Sequence, residues 1–337
     1  MSIHSPAETL SEKEVIAEAE EALDGIKAMR TEVGKVIFGQ EQVVENAIVA
    51  ILSGGHALLV GVPGLAKTKL VDTLGTVLGI SAGRIQFTPD LMPSDILGSE
   101  VLEQSEDGKR SFRFVKGPIF TQLLMADEIN RASPRTQSAL LQAMQEYHVT
   151  FGGLRHDLPQ PFHVLATQNP LEQEGTYPLP EAQLDRFLVQ IDVDYPSLEA
   201  ERQILLETTG TQDQTASPVF SGEKLIRLQK LVRRMPVPES VVNAILDLVR
   251  SARPGTGHAS TDAHVAWGPG PRASQALMLC SRARALYDGR FAPSIDDIKA
   301  LAEPVLQHRM ALTFAARAEG VSVRGVIADI VKTLDQA

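Results

Sequence analysis

The 337-residue sequence contains a single cysteine, Cys280, so it cannot form an internal disulfide bond. The apolar neighbours of this cysteine indicate a small buried residue. The eight histidines are scattered without the spacing of metal ligands, and no apolar run approaches the roughly 18 residues of a transmembrane helix. The N-terminus is acidic where a secretory signal would be basic and then apolar. We therefore expect a cytoplasmic protein without a zinc site or a membrane span.

The composition is that of a folded globular protein. Hydrophobic residues make up 43% of the chain and charged residues 22%, which excludes a disordered, collagen-like or coiled-coil protein. The chain is longer than one hydrophobic core usually supports, so we expect two domains. Its net charge of −10 argues against a general polyanion binder, although a local basic face is compatible with it.

Four short apolar runs separated by helical or irregular sequence predict a parallel sheet in an α/β domain. They cover residues 56–60, 122–126, 162–167 and 187–193. Polar turns within two further stretches, at residues 101–115 and 147–158, predict two β-hairpins, the first with Asp107-Gly108 in its turn. These features predict an α/β core that carries two hairpin insertions.

Helical patterns precede and follow this sheet. A capping box of Ser11 and Glu14 begins an amphipathic N-terminal helix, and a second helix begins after Gln40. After Tyr195 the apolar strands stop, and the predicted helices cover residues 199–206, 223–234, 239–252, 272–287 and 295–311. We predict an N-terminal helix in residues 1–36, an α/β core in 37–195 and an all-α domain in 196–337.

The first strand leads into a phosphate-binding loop, GVPGLAKT, followed by a helix. In this pattern Lys67 supplies a positive charge for the β- and γ-phosphates of a nucleotide, and Thr68 a hydroxyl group for Mg²⁺. Ala66 replaces the usual glycine, which we expect to be tolerated only if this residue does not need a positive φ. A chance match is the alternative. The predicted phosphate-binding residues are Gly61, Pro63, Gly64, Leu65, Ala66, Lys67, Thr68 and Lys69.

Two carboxylates, Asp127 and Glu128, follow the apolar strand LLMA. Ligands of open α/β sheets bind at the carboxyl ends of the strands. Asp127 can therefore hold Mg²⁺, and Glu128 can polarise an attacking water. The alternative is a pair of solvated acids that cap a helix.

The third strand ends in Gln168-Asn169-Pro170, which brings an amide side chain to the same sheet edge. Asn169 could orient water or contact the γ-phosphate there, but an ordinary turn asparagine is an equally good interpretation of this dipeptide.

Together these sequence segments resemble those of the MoxR family of AAA+ ATPases. The resemblance extends from Ile37 to the helical C-terminal part of the chain. GVPGLAKT resembles the family's phosphate loop, its alanine included. LLMADEINRASPRTQSALLQAMQE resembles the acidic strand and the helix that follows, and ATQNP resembles sensor 1. LPEAQLDRF resembles the arginine-finger segment.

The resemblance implies an ATPase that uses ATP and Mg²⁺. It implies that Arg186 is an arginine finger that reaches the γ-phosphate held by a neighbouring subunit, where a surface pair of Asp185 with Arg186 is the alternative. Arg272 resembles sensor 2, although the loop before it is longer than the resemblance leads us to expect. Phe38 and Gly39 lie in a segment that resembles the adenine-packing segment, and a helix entry stapled by Phe38 is the alternative. Arg131 and Arg135 either face a subunit boundary or are solvated.

The leading functional interpretation is an ATP-hydrolysing homo-oligomer, a hexameric ring by resemblance, that remodels or matures a protein partner. The same resemblance implies a partner with a von Willebrand factor A domain. The alternative is a DNA-translocating motor similar to the minichromosome-maintenance helicases, favoured by the two hairpins and a basic helical face. That face comprises Lys224, Arg227, Lys230, Arg233 and Arg234. A third class, a nucleotide-binding scaffold without hydrolysis, is disfavoured by the joint presence of Glu128, Asn169 and Arg186.

Overall fold

The computed structural model describes residues 12–104, 110–171, 175–209 and 214–334, with side chains described from residue 20 onward. Its strands, in chain order, are β1 Ala57–Val60, β2 Ala82–Gln86, β3 Gly98–Gln104, β4 Arg110–Lys116, β5 Leu123–Asp127, β6 His148–Phe151, β7 Leu154–Asp157, β8 His163–Gln168, β9 Val189–Asp192, β10 Val265–Trp267 and β11 Ala311–Leu312.

The helices of the described residues are α1 Glu12–Gly34, α2 Glu41–Leu52, α3 Lys67–Leu78, α4 Pro93–Leu97, α5 Pro134–Glu146, α6 Glu181–Leu184, α7 Leu198–Thr208, α8 Gly222–Arg234, α9 Glu239–Ser251, α10 Ala259–His264, α11 Pro271–Tyr287, α12 Ile295–Leu306, α13 Phe314–Ala318 and α14 Val323–Thr333. Two short 3₁₀ turns cover Ile129–Arg131 and Gln307–Arg309. Ser11, the first residue of the predicted capping box, lies outside the described residues.

The central element is a five-stranded parallel sheet in the order β2-β5-β8-β1-β9. Four of these strands were predicted, and the predicted α/β fold is confirmed. Strand β2 was not predicted, because it lies at the sheet edge and buries only Ile85 of its five residues. An edge strand of this kind lacks the continuous apolar run that marks a strand covered on both faces.

The two faces of the sheet pack on separate apolar cores, because successive strand residues point to opposite sides. Leu59 belongs to a core shared with α1, α2, α3 and the C-terminal helices. Leu58 belongs to a second core, which contains residues of α5 such as Leu140 and Leu141. Helices on both faces leave the ends of the strands as the places where polar groups can converge.

Both predicted hairpins are present as antiparallel pairs, β3 with β4 and β6 with β7. The predicted turn at Asp107-Gly108 lies outside the described residues. The ring of Phe114 stacks on His156 with 4.0 Å between centroids, so the two hairpins contact each other.

The C-terminal part is mainly helical from α7 to α14, and the predicted all-α domain needs corrections. Val265 pairs with Leu312 in a short antiparallel bridge between β10 and β11. The glycine- and proline-rich stretch before α11 contains α10 and β10, and the helix predicted to reach residue 311 ends at Leu306.

Helix α1 joins the first core through Ile26 and Met29. The domain boundaries stay predictions. In the described residues, no helix is long and apolar enough to span a membrane.

Candidate active site

The loop after β1 leads directly into the N-terminus of α3 and forms one wall of a cavity of about 510 Å³. Backbone N–H groups at a helix N-terminus point outward and attract anions. The cavity is lined by Pro63, Gly64, Leu65, Ala66, Lys67, Thr68, Lys69, Arg84, Gln86, Met125, Asp127, Glu128, Thr167 and Asn169. The structure therefore brings the predicted loop, the acidic pair and Asn169 to one sheet edge.

The backbone of this loop corrects one expectation from the sequence. Ala66 has φ 53° and ψ 21°, in the left-handed region, so its methyl group is present despite a positive φ. That conformation costs a non-glycine residue roughly 1–2 kcal/mol, which the surrounding fold must offset. Gly61 is required for another reason, since an added Cβ would lie 2.4 Å from the backbone oxygen of Val193.

Lys67 is the cation of the cavity. Its ammonium group donates a hydrogen bond to the carbonyl oxygen of Gly61 at 2.5 Å. Partial burial lowers the pKa of Lys67 below its ordinary value, and the nearby carboxylates of Asp127 and Glu128 act in the opposite direction. Lys67, Asp127 and Glu128 all line this cavity, so the cation and the acidic pair share one site.

Asp127 is held on both of its carboxylate oxygens. Thr167 Oγ1 donates to Oδ1 at 2.5 Å, and Arg84 Nη2 approaches Oδ2 at 2.6 Å. Arg84 comes from β2, whose register pairs Gln86 with Asp127. A carboxylate at the sheet edge beside Thr68 is suited to an Mg²⁺ ion, which takes one or two side-chain ligands and completes its shell with phosphate oxygens and water.

Glu128 occupies an unusual backbone position, with φ 55° in the left-handed region. Its N–H donates to Thr167 Oγ1 at 2.8 Å. Its carboxylate accepts from Gln86 Nε2 at 2.7 Å and from Arg131 Nη1 at 3.3 Å. These contacts hold the carboxylate of Glu128 at the cavity wall, and they are the fixed geometry that a general base requires.

Arg84, Gln86 and Thr167 are therefore site residues that the sequence did not reveal. Each acts through Asp127 or Glu128, and Thr167 is buried between them. Asn169 is also buried, and its Oδ1 accepts a hydrogen bond from the Leu171 N–H at 3.1 Å. This bond is typical of an asparagine turn, and the side chain still lines the cavity.

A second cavity of about 380 Å³ begins beside the phosphate loop. Gly39 and Gln40 form part of its wall, and Gln40 Nε2 donates to the carbonyl oxygen of Leu65 at 3.1 Å. An added Cβ on Gly39 would overlap the Cβ of Ala200 in α7. Phe38 is half-buried and is not among the described residues that form this wall. The adenine-packing role of Phe38 and Gly39 stays a prediction.

Arg186 and Arg272 lie at the other edge of the sheet. Arg186 comes three residues before β9, which runs parallel to β1 and begins opposite Ala57. Both arginines line a cavity of about 260 Å³ together with Arg309. Among the described residues, Arg272 is not part of the wall of the phosphate cavity.

The alternative surface pair of Asp185 with Arg186 is not what the structure contains. Asp185 Oδ1 accepts from Arg309 Nε at 2.7 Å, and Oδ2 lies 3.5 Å from Arg272 Nη1. Within the described residues, the guanidinium group of Arg186 has neither a hydrogen bond nor an ion pair. Its charge is thus available to a group outside this chain.

The remaining predicted cations have ordinary surroundings. Arg131 is bound to Glu128, and Arg135 is exposed on α5. On the basic face of α8, Lys224 is ion-paired with Glu21 at 2.7 Å, which reduces the charge that this face offers to DNA.

Comparisons with known proteins agree with this geometry. Residues 56–189 match the model of the "ATPase family associated with various cellular activities (AAA)", and residues 258–330 match an "AAA lid domain". A crystal structure from Cytophaga hutchinsonii, described as that of a candidate ATPase, superposes with a TM-score of 0.88. It is 38% identical in sequence and covers 95% of this chain and 97% of its own.

Fold and site together define the chain as an AAA+ ATPase with a helical lid. Chaperone MoxR1 of Mycobacterium tuberculosis is 44% identical over 305 residues, which is 90% of this chain and 80% of that protein. Protein MoxR of Paracoccus denitrificans is 30% identical over 314 residues, 88% of each chain. The chain belongs to the MoxR family, and the resemblance predicted from the sequence is confirmed.

Proposed function

We propose that this protein hydrolyses ATP in a ring of identical subunits, with each active site built from two neighbours. The observation that carries the proposal is the division of polar groups between the two edges of the sheet. The phosphate loop and the acidic pair lie at the carboxyl edge, whereas Arg186 and Arg272 lie at the amino edge. One chain cannot bring both sets to the same phosphate.

The chemistry follows from the groups at the carboxyl edge. Glu128 takes a proton from the attacking water as the water oxygen forms a bond to the γ-phosphorus. The bond between the γ-phosphorus and the bridging oxygen breaks, and its electrons remain with ADP. Lys67 stabilises the charge on the phosphates, and Asn169 contacts the γ-phosphate or the water. Mg²⁺ held by Thr68 and Asp127 would neutralise the phosphate oxygens when bound.

Arg186 of the neighbouring subunit would complete the site from the other side. An arginine keeps its charge at every relevant pH, and its planar fork matches phosphate oxygens. Arginine fingers contribute on the order of 10³-fold or more in GTPase systems. Arg272, at the same edge, would act on the same neighbouring nucleotide rather than on the one bound in its own subunit.

A mixing experiment tests the divided site. Lys67→Ala subunits keep Arg186, and Arg186→Ala subunits keep the phosphate loop, so each pure ring should retain only a small residual rate of hydrolysis. Random one-to-one mixing restores both halves at about a quarter of the interfaces of a head-to-tail ring, and ATPase activity should recover toward that fraction. An Arg186→Ala ring with wild-type activity on its own would refute the trans role.

Assembly provides a second test. ATP held between subunits binds the oligomer better than the monomer, so ATP should shift the protein toward a ring. Static light scattering with and without ATP measures this shift, and hexamers are the expected species. A monomer at every concentration, with full activity per chain, would contradict the proposal.

We further propose that the ring acts on a protein, as a chaperone-like machine with a partner that carries a von Willebrand factor A domain. The support is the 44% identity to a protein named a chaperone and the MoxR resemblance. The partner should bind the ATP-loaded Glu128→Gln ring and be released without nucleotide. Equal binding in both states, measured by size-exclusion chromatography, would refute a nucleotide-controlled partner.

A further inference from the structure

Arg309 is the most heavily hydrogen-bonded buried cation described outside the phosphate cavity. It lies in the 3₁₀ turn after α12 of the lid and is only 2% exposed. Its guanidinium group donates five hydrogen bonds of 2.6–3.3 Å. The acceptors are Asp185 Oδ1 and the carbonyl oxygens of Val305, Asp185, Phe187 and Leu188.

Four of these five bonds end on residues 185–188, the segment that contains Arg186. His308, the preceding residue of the lid, also contacts the Phe187 carbonyl oxygen at 3.1 Å. The carboxylate of Asp185 lies between Arg309 and Arg272, both of which belong to the lid. The backbone on either side of Arg186 is thus fixed by the lid.

We propose that Arg309 is a positioning residue for the arginine finger: it fixes residues 185–188 so that Arg186 projects toward the neighbouring subunit. This inference rests on the proposed trans role of Arg186. Because Arg309 belongs to the lid, it also makes the orientation of the finger in one subunit depend on the position of the lid in that subunit.

The chemistry of the contact explains why the residue is an arginine. The guanidinium group has five N–H donors in a rigid plane, and all five are used here. A lysine has three donors on one nitrogen and cannot reach acceptors on Asp185, Phe187 and Leu188 at once. An apolar side chain would fill the space of Arg309 without the desolvation cost of a buried charge. The guanidinium group is therefore better explained by its hydrogen bonds than by packing.

The test compares Arg309→Lys with Arg317→Lys. Arg317 is an exposed control for the loss of guanidinium-to-carbonyl bonds, because it donates from Nε and Nη2 to the backbone carbonyl of Leu312 but does not contact residues 185–188. The rescue experiment below controls for the burial of Arg309. Arg309→Lys should lower kcat by about 10–100-fold, the usual effect of a catalytic group misplaced by about 1 Å. The dissociation constant for a fluorescent ATP analogue should stay within about twofold, because the phosphate loop is untouched.

Rescue separates positioning from general damage to the fold. Arg309→Lys subunits retain an intact phosphate loop, so mixing them with Lys67→Ala subunits should restore activity, as is expected for Arg186→Ala. The double variant Arg186→Ala/Arg309→Lys should be no slower than Arg186→Ala alone, because both changes remove one function. A wild-type kcat for Arg309→Lys, a loss without rescue, or additive losses would each overturn the inference.

Two further results keep the conclusions distinct. If Arg186→Ala is inactive while Arg309→Lys is normal, only the positioning role fails; if Arg186→Ala is normal, the proposed trans site itself fails. Should Arg309→Lys not fold, Asp185→Asn replaces it, since this change weakens the contact with Arg309 and leaves the backbone carbonyls. It should show a smaller loss of kcat that is rescued in the same way, and wild-type kcat in Asp185→Asn would then refute the inference.

Discussion

Replacing Thr167 with valine should separate nucleotide binding from hydrolysis. Valine keeps the volume of this buried side chain and removes its hydroxyl group. The hydroxyl donates to Asp127 at 2.5 Å and accepts the Glu128 N–H at 2.8 Å. Thr167 thus bonds the carboxylate of Asp127 and the backbone of Glu128, so loss of its hydroxyl group should disturb the proposed metal ligand and the proposed base at once.

The magnitude follows from these two bonds. A buried N–H left without an acceptor costs about 1–3 kcal/mol, and a lost hydrogen bond to a charged group costs about 1.5–3 kcal/mol. Asp127 keeps its contact with Arg84 at 2.6 Å, which limits the second loss. We expect the free energy of unfolding to fall by about 2–4 kcal/mol. Glu128 also loses the bond that supports its left-handed backbone, and kcat should fall by about 10–100-fold.

The assay compares kcat with the dissociation constant for a fluorescent ATP analogue. Thr167→Ser is the matched control, since it keeps the hydroxyl group and removes the methyl group that valine retains. Thr167→Val should lower kcat and leave the affinity for ATP nearly unchanged, and Thr167→Ser should retain most of the ATPase activity. Wild-type kcat in the valine variant would refute the reasoning, and equal losses in both variants would assign the effect to packing.

Three other predictions concern the loop, the base and buried histidines. Lys67→Ala should abolish detectable ATP binding in a fluorescence titration, because it removes the cation at the phosphates; retained affinity would contradict the loop assignment. Glu128→Gln should bind ATP and hydrolyse it at least about 10²-fold more slowly, since an amide cannot accept the proton of the water; unchanged turnover would remove Glu128 as the base. Burial lowers the pKa of His56 to about 3 and that of His163 to about 4, so both imidazoles are neutral in the folded protein. The unfolded chain binds protons below about pH 6.5, so the free energy of unfolding should fall as pH falls from about 6.5 toward 4. Urea unfolding should show a loss of about 2 kcal/mol per histidine at pH 5, and a His163→Asn variant with an equally steep pH dependence would contradict this account.

The elements of the fold that could be predicted are those whose burial produces a local pattern of apolar residues in the sequence. Strands covered on both faces read as apolar runs, and turns flanked by alternating residues read as hairpins. Strand β2 was not predicted because it is an edge strand, paired only with β5, and lacks a continuous apolar run. Strands β10 and β11 were not predicted because two or three residues are too few to show a periodic pattern. These elements exist through pairing with residues distant in the chain.

The same distinction separates the predicted site residues from the missed ones. The loop, Asp127 and Asn169 lie where a strand ends, and a strand end can be recognised in the sequence. Arg84 reaches Asp127 because of the register between β2 and β5, which no local spacing encodes. The left-handed backbone of Ala66 was unpredictable for a different reason, since alanine carries no preference for it.

Asp185 illustrates why adjacency in sequence is a poor guide to charge pairing at the amino edge. Had Asp185 paired with Arg186, the acid would have screened the charge that the proposed finger must present to a phosphate. The structure instead directs Asp185 to Arg272 and to the buried Arg309, 124 residues away. The acid thereby neutralises cations of its own lid and leaves Arg186 free of an acidic partner among the described residues. If Arg309 positions the finger as proposed, a movement of the lid would alter these contacts and with them the orientation of Arg186 toward a neighbouring subunit.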